Sequence, residues 1–290
     1  MKDPIKKILV TADGSPESES VFAAIMPLVR ADDPQVSVLY VIEDPESSFM
    51  PPARLAKACG ALRAANVRAS LEVREGVPAE EILRAAREKK ADLIAMSTHG
   101  RGGVARMIAG SVAEEVLRRS KVPVLLTRPE TPVHPWKRIA VALDGSERSE
   151  AILPEAAALA KKMGAVLEVL HVIHPTVAGG AGEVPVVLPP KDPMPYLNGV
   201  LRRLAAEGLP PQVAVLEGGT SQAILRHLEA SGAGLLCMTT HGRTGMTRIL
   251  LGSVAEEILR KAPCPVLLRR NVPLSEEAPK AKIRDGAKVH

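Results

Sequence analysis

The chain has 290 residues, the length of about two average domains, and its 46% of hydrophobic residues is ordinary for a folded protein. Aromatic residues make up only 2%, which favours cores of Leu, Val, Ile and Ala and argues against base-stacking surfaces for single-stranded nucleic acid. The net charge is +5, but acidic and basic residues are mixed along the chain, so no nucleic-acid-binding patch is predicted.

The first half of the chain alternates short apolar runs with helical patterns. Val21, Ile25 and Leu28 follow the spacing of an amphipathic helix, and Ile82 with Ala86 marks another. The apolar runs are continuous and rich in β-branched residues, as strands buried on both faces are. They cover residues 8–11, 36–42, 67–73, 93–96 and 122–126. This alternation predicts an α/β fold, in which a parallel sheet carries helices on both faces.

The second half repeats the first. Residues 96–128 align with residues 238–270, and 20 of the 33 aligned positions are identical. One offset relates the early matches of the two halves and a larger offset relates the later matches, so the second half contains an insertion between them. The Pro/Gly-rich stretch 175–195 is the place for this insertion, and its composition predicts a loop.

The domain boundaries follow from the repeat. The first repeat is predicted to span residues 1–129, and a short proline-stiffened linker covers 130–135. The second repeat spans 136–271, and the polar tail 272–290 is predicted to be disordered. Pro123 and Pro265 fall within the last strand of each repeat, which therefore begins at the proline or forms an edge suited to pairing.

Several classes of site and location are not supported by the sequence. The three cysteines form no CxxC pair, and Cys237 and Cys264 stand in apolar runs as buried small hydrophobes, so neither a disulfide framework nor a zinc site is predicted. The sequence shows no signal-peptide pattern and no apolar stretch of membrane-span length, so a cytoplasmic protein without a membrane partner is expected.

A glycine loop follows the fourth strand of each repeat and ends at a predicted helix start. In the first repeat the loop holds Gly100, Arg101 and Gly103 and closes on Gly110 and Ser111. Glycines let backbone N–H groups approach a phosphate, the helix start adds further N–H groups, and arginines reach phosphate oxygens. The alternative is a capping box, because Ser111 opens an S-x-x-E pattern. The glycine spacing recurs unchanged in the second repeat, which favours a phosphate site.

An aspartate ends the first strand of each repeat, at the switch point where open α/β sheets bind ligands. Asp13 and Asp144 are therefore candidates to hydrogen-bond an adenine amino group or a ribose hydroxyl, or to hold a metal. Capping of the following helix is an equally good interpretation. His99 and His241 precede loop glycines, and a structural hydrogen bond is their expected role, since no other metal ligand stands at a suitable spacing.

These residues resemble the universal stress protein family, whose nucleotide signature is G-x-x-G-x9-G-[S/T]. Gly100, Gly110 and Ser111 match it, as do their counterparts in the second repeat, but Ser97 and Thr239 replace the first glycine. The resemblance implies two tandem open parallel five-stranded sheets of order 3-2-1-4-5, similar to adenine nucleotide alpha-hydrolases. It also implies ATP as the ligand, with Mg2+ or Mn2+, and pairing through the fifth strands.

The candidate nucleotide-binding residues are taken from the loops, the first-strand aspartates and the positions that the resemblance adds. They are Ala12, Asp13, Val41, Met96, Gly100, Arg101, Gly103, Gly110, Ser111, Val112, Leu143, Asp144, Val172, Met238, Gly242, Arg243, Gly245, Gly252, Ser253 and Val254.

The expected function is that of an ATP-binding regulatory module for stress response, with one site in each repeat. The two repeats are expected to form an intramolecular pseudo-dimer, and further homodimerisation is left open. A slow ATP hydrolase is one alternative, although no Walker lysine and no general base can be named. A structural dimerisation module with vacant sites is the other.

Overall fold

A computed structural model describes residues 5–32, 34–43, 51–98, 110–178, 186–188, 190–240 and 251–270, and the tail predicted over 272–290 lies outside these ranges. The first repeat contains strands β1 (Lys7–Thr11), β2 (Gln35–Ile42), β3 (Ala69–Glu75), β4 (Leu93–Ser97) and β5 (Val124–Thr127). Its helices are α1 (Ser20–Asp32), α2 (Ala53–Ala64), α3 (Pro78–Glu88) and α4 (Ser111–Arg119), and a 3-10 turn covers Glu17–Glu19. The five predicted strands are thus present, each within a few residues of its predicted bounds.

The second repeat follows the same plan. Its strands are β6 (Arg138–Ala142), β7 (Val166–Ile173), β8 (Thr176–Ala178), β9 (Val186–Leu188), β10 (Gln212–Glu217), β11 (Leu235–Thr239) and β12 (Val266–Arg269). Its helices are α5 (Glu147–Glu150), α6 (Leu153–Met163), α7 (Met194–Ala206), α8 (Thr220–Ser231) and α9 (Ser253–Lys261). β8 and β9 pair antiparallel, so the prediction of a simple loop over 175–195 was wrong for these segments.

Helices cover both faces of the sheet because successive strand residues point to opposite sides. Ile8 and Val10 of β1 belong to the core that α1, α2, α6 and α7 cover on one face, whereas Leu9 belongs to the core that α3, α4, α8 and α9 cover on the other. The predicted helical stripe that begins at Val21 is buried in the first of these cores. The continuous apolar runs are therefore explained by burial on both sides.

The strand order within each repeat is the predicted 3-2-1-4-5, but the two sheets are continuous. β5 pairs with β12 to give one ten-stranded sheet, whose order is β10-β7-β6-β11-β12-β5-β4-β1-β2-β3. Both β5 and β12 start directly after their prolines, whose carbonyl oxygens accept from Ile94 and Leu236 of the neighbouring strands. The fifth strands are therefore edges of their own repeats and the centre of the whole sheet.

The junction is antiparallel and has the register of a two-fold axis. Leu125 faces Leu267, and these two residues stand at equivalent positions of the two repeats. Because strand direction reverses here, the carboxyl ends of the two sets of parallel strands point in opposite directions along the strand axis. The Arg128 guanidinium crosses the junction and donates to the carbonyl oxygens of Arg260 (2.8 Å) and Ala262 (3.0 Å) at the end of α9.

Truncation of the paired leucines tests the junction. We expect Leu125→Ala and Leu267→Ala each to lower the free energy of unfolding by about 2–5 kcal/mol, because each side chain is buried. The double variant should lose less than the sum, because directly opposed side chains share their contact. Urea denaturation measures this.

Leu204 of α7, buried elsewhere in the second repeat, provides the control. Leu125→Ala combined with Leu204→Ala should be additive within about 0.5 kcal/mol. Equal additivity in both pairs would show that the leucines do not share a contact.

Candidate functional site

The turn after β1 is built in the same way as the turn after β6. The Asp13 Oδ1 atom accepts from the Ser15 backbone N–H (2.9 Å) and from the Ser15 hydroxyl (2.6 Å). The residue between them, Gly14, has a φ of +78°, a left-handed conformation that favours glycine. In the second repeat Asp144 accepts from Ser146 at 3.0 and 2.6 Å, around a glycine with a φ of +87°.

The serines, not the aspartates, accept from backbone N–H groups of the segments that follow. Ser146 is the N-cap residue of α5, and its hydroxyl accepts from the Ser149 N–H at 3.2 Å. In the first repeat the Ser15 hydroxyl accepts from the Ser18 N–H of the 3-10 turn, also at 3.2 Å. The capping interpretation of Asp13 and Asp144 therefore needs correction, because each carboxylate positions a serine whose hydroxyl accepts from the N–H three residues later. The spacing S-x-x-S after each aspartate was the sequence signal for this network.

Strand pairing brings the aspartate turn next to the strand-four loop. Thr11 of β1 pairs with Met96 of β4, so Ala12 and Asp13 leave the sheet beside the start of that loop. The hydroxyl of Ser97 then donates to the Glu17 carbonyl oxygen at 3.1 Å. The serine that replaces the first signature glycine thus ties the two segments together.

A pair of backbone hydrogen bonds holds each end of the loop. The Gly110 N–H donates to the Thr98 carbonyl oxygen (2.8 Å), and the Thr98 N–H donates to the end of β5 (2.8 Å). In the second repeat Gly252 donates to Thr240 (3.1 Å), whose N–H donates to Arg269 (3.0 Å). The helix start is therefore fixed against the end of the sheet in both repeats.

Glycine, rather than serine, is the N-cap residue of α4 and α9. Gly110 and Gly252 hold these positions, so Ser111 and Ser253 fall inside the helices and the capping box that was the alternative interpretation is not formed. A glycine N-cap offers no side-chain acceptor to the first-turn N–H groups, which are then left to a ligand or water. A valine follows in each first turn, Val112 or Val254, and packs partly against the core.

The backbone conformation alone does not require these glycines. Gly110 has a φ of −52° and Gly252 of −67°, values open to any residue. A Cβ atom would lie 3.5 Å from the Thr98 carbonyl oxygen at Gly110 and 3.4 Å from that of Thr240 at Gly252, an ordinary contact. What a side chain would obstruct at these positions is access to the helix start from outside.

The other candidate residues lie close to these turns. Met96 and Met238 are buried in β4 and β11, and Val41 and Val172 are half-buried near the ends of β2 and β7. Leu143 is also buried. Its carbonyl oxygen lies 2.9 Å from Nδ1 of His171 in β7. Both loop histidines, His99 and His241, lie outside the described residues, as do the candidates Gly100, Arg101, Gly103, Gly242, Arg243 and Gly245.

The starts of α2 and α7 also border the turns, which the sequence motifs did not predict. Nη1 of Arg54 lies 3.5 Å from Oε1 of Glu19 in the first repeat. At the equivalent place in the second repeat, Tyr196 stacks in a tilted arrangement on His171, with ring centroids 5.8 Å apart. The sequence offset between the two glycine N-caps also separates positions 54 and 196. This offset was the signal in the sequence that could have identified them as equivalent positions.

A glutamate in the first turn of α4, Glu114, lies close enough to Glu256 of α9 to be affected by its charge across the junction. Burial, reinforced by the negative charge of Glu256, raises the pKa of Glu114. Its neighbour Glu115 behaves oppositely, because hydrogen bonds from Arg118 and Arg119 lower its pKa. The charge on α9 therefore reaches the first turn of α4 across the junction.

Other features bear on metal and membrane interactions. Among the described residues, no group of three or more His, Cys, Asp or Glu side chains could hold a metal ion. Cys59, Cys237 and Cys264 are free and buried, as predicted for the last two. Within the same part of the chain, no helix has the length and apolar character to cross a bilayer.

Comparison with known proteins points to one family. The sequence profile of the universal stress protein family matches residues 4–128 and again residues 135–270. A universal stress protein of Methanocaldococcus jannaschii is 34% identical over 139 residues, which are 42% of this chain and 82% of that protein. One from Mycobacterium bovis is 29% identical over 229 residues, 75% of this chain and 74% of that protein.

The fold has a solved counterpart that matches both repeats. The crystal structure of a universal stress protein from Archaeoglobus fulgidus superposes with a TM-score of 0.73 at 24% identity. The match covers 93% of this chain and 100% of that one, so the arrangement of both repeats is shared.

Substitution of an aspartate tests the turn. We expect Asp144→Ala to lower the free energy of unfolding by about 1–2 kcal/mol, because Ser146 loses its acceptor. Asp144→Asn keeps an oxygen in place and should retain most of the stability. Chemical denaturation of both variants measures this, and equal losses would contradict the proposed role of the acceptor oxygen.

The opposite pKa shifts of Glu114 and Glu115 predict opposite effects of substitution on stability. A raised pKa in the folded protein means that Glu114 destabilises the fold as the pH rises through that pKa, so Glu114→Gln should be more stable than the wild type at pH 7. The lowered pKa of Glu115 stabilises the fold above it, so Glu115→Gln should be less stable there. Both differences should shrink below about pH 4, where glutamates become protonated.

Thermal unfolding of the three proteins from about pH 3 to pH 7 makes the comparison. Shifts of the same sign in the two variants would rule out the interpretation.

Proposed function

This chain belongs to the universal stress protein family, with two family domains in tandem, and we propose that each repeat binds an adenine nucleotide, ATP above all. The observation that carries the proposal is the glycine N-cap of α4 and α9. In both repeats a glycine with an unstrained φ stands at a helix start that no N-cap side chain closes. Such a start binds phosphate through its N–H groups and the positive end of the helix dipole.

The remainder of the ligand would lie toward the aspartate turn. Asp13 and Asp144 stand at the switch point of their sheets, half-buried beside the first residue of the strand-four loop. A carboxylate there is suited to accept from an adenine amino group or a ribose hydroxyl, since Oδ1 is already oriented by a serine. Val41 and Val172, half-buried at the ends of the neighbouring strands, supply apolar surface for the base.

A divalent cation fits this arrangement only as a companion of the phosphates. The described residues hold no cluster of metal-ligating side chains. Mg2+ or Mn2+ would be carried by the phosphate oxygens with at most one carboxylate, which is the usual way magnesium enters nucleotide sites. The proposed role is that of a cytoplasmic, nucleotide-responsive regulatory protein, and no catalytic residue is assigned.

Titration of ATP with magnesium into the chain tests the proposal. The wild type should bind at two sites, and Gly110→Val or Gly252→Val should each weaken one site at least tenfold, because the side chain obstructs the phosphate. Isothermal calorimetry gives both the stoichiometry and the affinity.

Matched controls separate obstruction from unfolding. Gly60→Val in α2 and Gly199→Val in α7 make the same change in helices where a Cβ atom meets nothing within 4 Å. They should bind ATP as the wild type does, and all four variants should unfold cooperatively. No binding by the folded wild type, or equal losses in the controls, would contradict the proposal.

A further inference from the structure

One difference between the two candidate sites changes the charge of a side chain. Arg54 in α2 and Tyr196 in α7 are related by the offset that relates the two glycine N-caps, and each precedes a fully buried leucine. Each also lies beside the equivalent glutamate of its repeat, Glu19 or Glu150. The same place in the fold therefore carries a cation in one repeat and a phenol in the other.

The Arg54 guanidinium is held only loosely. Its Nη1 lies 3.5 Å from Glu19 Oε1, and the two side chains are 56% and 39% exposed. Exposed ion pairs contribute about 0–1 kcal/mol, so the arginine can turn to another anion at little cost. A guanidinium offers several N–H donors in a plane that matches phosphate oxygens.

The position of Arg54 places this cation at the rim of the site. Glu19 belongs to the 3-10 turn, whose Glu17 carbonyl oxygen accepts from Ser97 at 3.1 Å. The next residue, Ser20, contacts the same Ser97 hydroxyl at 3.5 Å. Since Ser97 ends β4 and opens the glycine loop, the turn that holds Arg54 borders the phosphate side of the site.

The second repeat provides a cation for its glutamate from a different place. Arg203 forms the ion pair with Glu150 from two turns further along α7, and the first repeat has Ala61 at the equivalent position. Tyr196 takes the position equivalent to Arg54, its ring packs partly against the core, and its hydroxyl is buried. Burial, reinforced by Glu150, raises the pKa of Tyr196, so the phenol stays uncharged. The ion pair is preserved, while the positive charge is moved away from the rim.

We propose that Arg54 is a specificity-determining residue that makes the first site favour nucleotides with more phosphate charge, and that Tyr196 leaves the second site less selective. The inference rests on the proposed nucleotide binding. It concerns a difference in ligand preference between the two sites. The backbone N–H groups of the helix starts do not produce such a difference, because both repeats have them. ATP and AMP are the probes, because they differ in their phosphates alone.

An exchange of the two residues tests this. With the second site obstructed by Gly252→Val, Arg54→Tyr should lower ATP affinity about threefold to fivefold and leave AMP affinity nearly unchanged. With the first site obstructed by Gly110→Val, Tyr196→Arg should raise the ratio of ATP to AMP affinity. The effect of Arg54 should shrink as salt is raised, because exposed charges are screened.

Arg63→Tyr is the control, since this arginine is also exposed on α2 but lies in the last turn, where it donates to the Ala69 carbonyl oxygen. It should leave the affinity ratio unchanged. An unaltered ratio in Arg54→Tyr, or an equal shift in Arg63→Tyr, would overturn the inference while nucleotide binding stands. Failure of the wild type to bind ATP would overturn both.

Discussion

The pairing of β5 with β12 is the interaction on which the arrangement of the molecule depends. Each repeat alone is a five-stranded sheet whose last strand carries apolar side chains and an unpaired row of backbone groups. Antiparallel pairing satisfies those groups and buries Leu125 against Leu267. Because the central pair consists of equivalent residues, the duplication supplies both halves of a self-complementary interface within one chain.

The junction also determines how the two sites are related. Strand direction reverses there, so the two candidate sites lie beyond opposite ends of the strands of one sheet. Even so, α4 and α9 remain close enough for the charge of Glu256 to raise the pKa of Glu114. The contacts are not symmetrical in detail. Arg269, which stands where the first repeat has Thr127, forms an ion pair with buried Glu155, and the first repeat has Ala24 at the position of that glutamate. The two repeats have thus diverged around a shared backbone.

The sequence could predict the features that depend on local pattern and repetition. Strand order, the two-fold pairing and the burial of Val21 follow from periodicity, the duplicated prolines and the family resemblance. The S-x-x-E pattern at Ser111 left a capping box open as the alternative, and it is not formed because Gly110, hydrogen-bonded to the Thr98 carbonyl oxygen, is the N-cap residue of α4. The role of Arg54 depends on contacts between distant segments, which no local pattern encodes.

The proposed recognition of phosphate by backbone groups implies that a difference in ligand preference between the two candidate sites would come from the side chains around them. Helix-start N–H groups respond to a phosphate and carry little information about the rest of a ligand, since every sequence supplies them. The aspartate turns are equally alike, with matching hydrogen bonds at Asp13 and Asp144. A duplicated protein that keeps these elements in both repeats can therefore specialise its sites only through side chains around them. Arg54 is charged and its counterpart Tyr196 is not, while the equivalent glutamate keeps an arginine partner, Arg203 instead of Arg54. This is the pattern expected when side chains around a site change and the fold is retained.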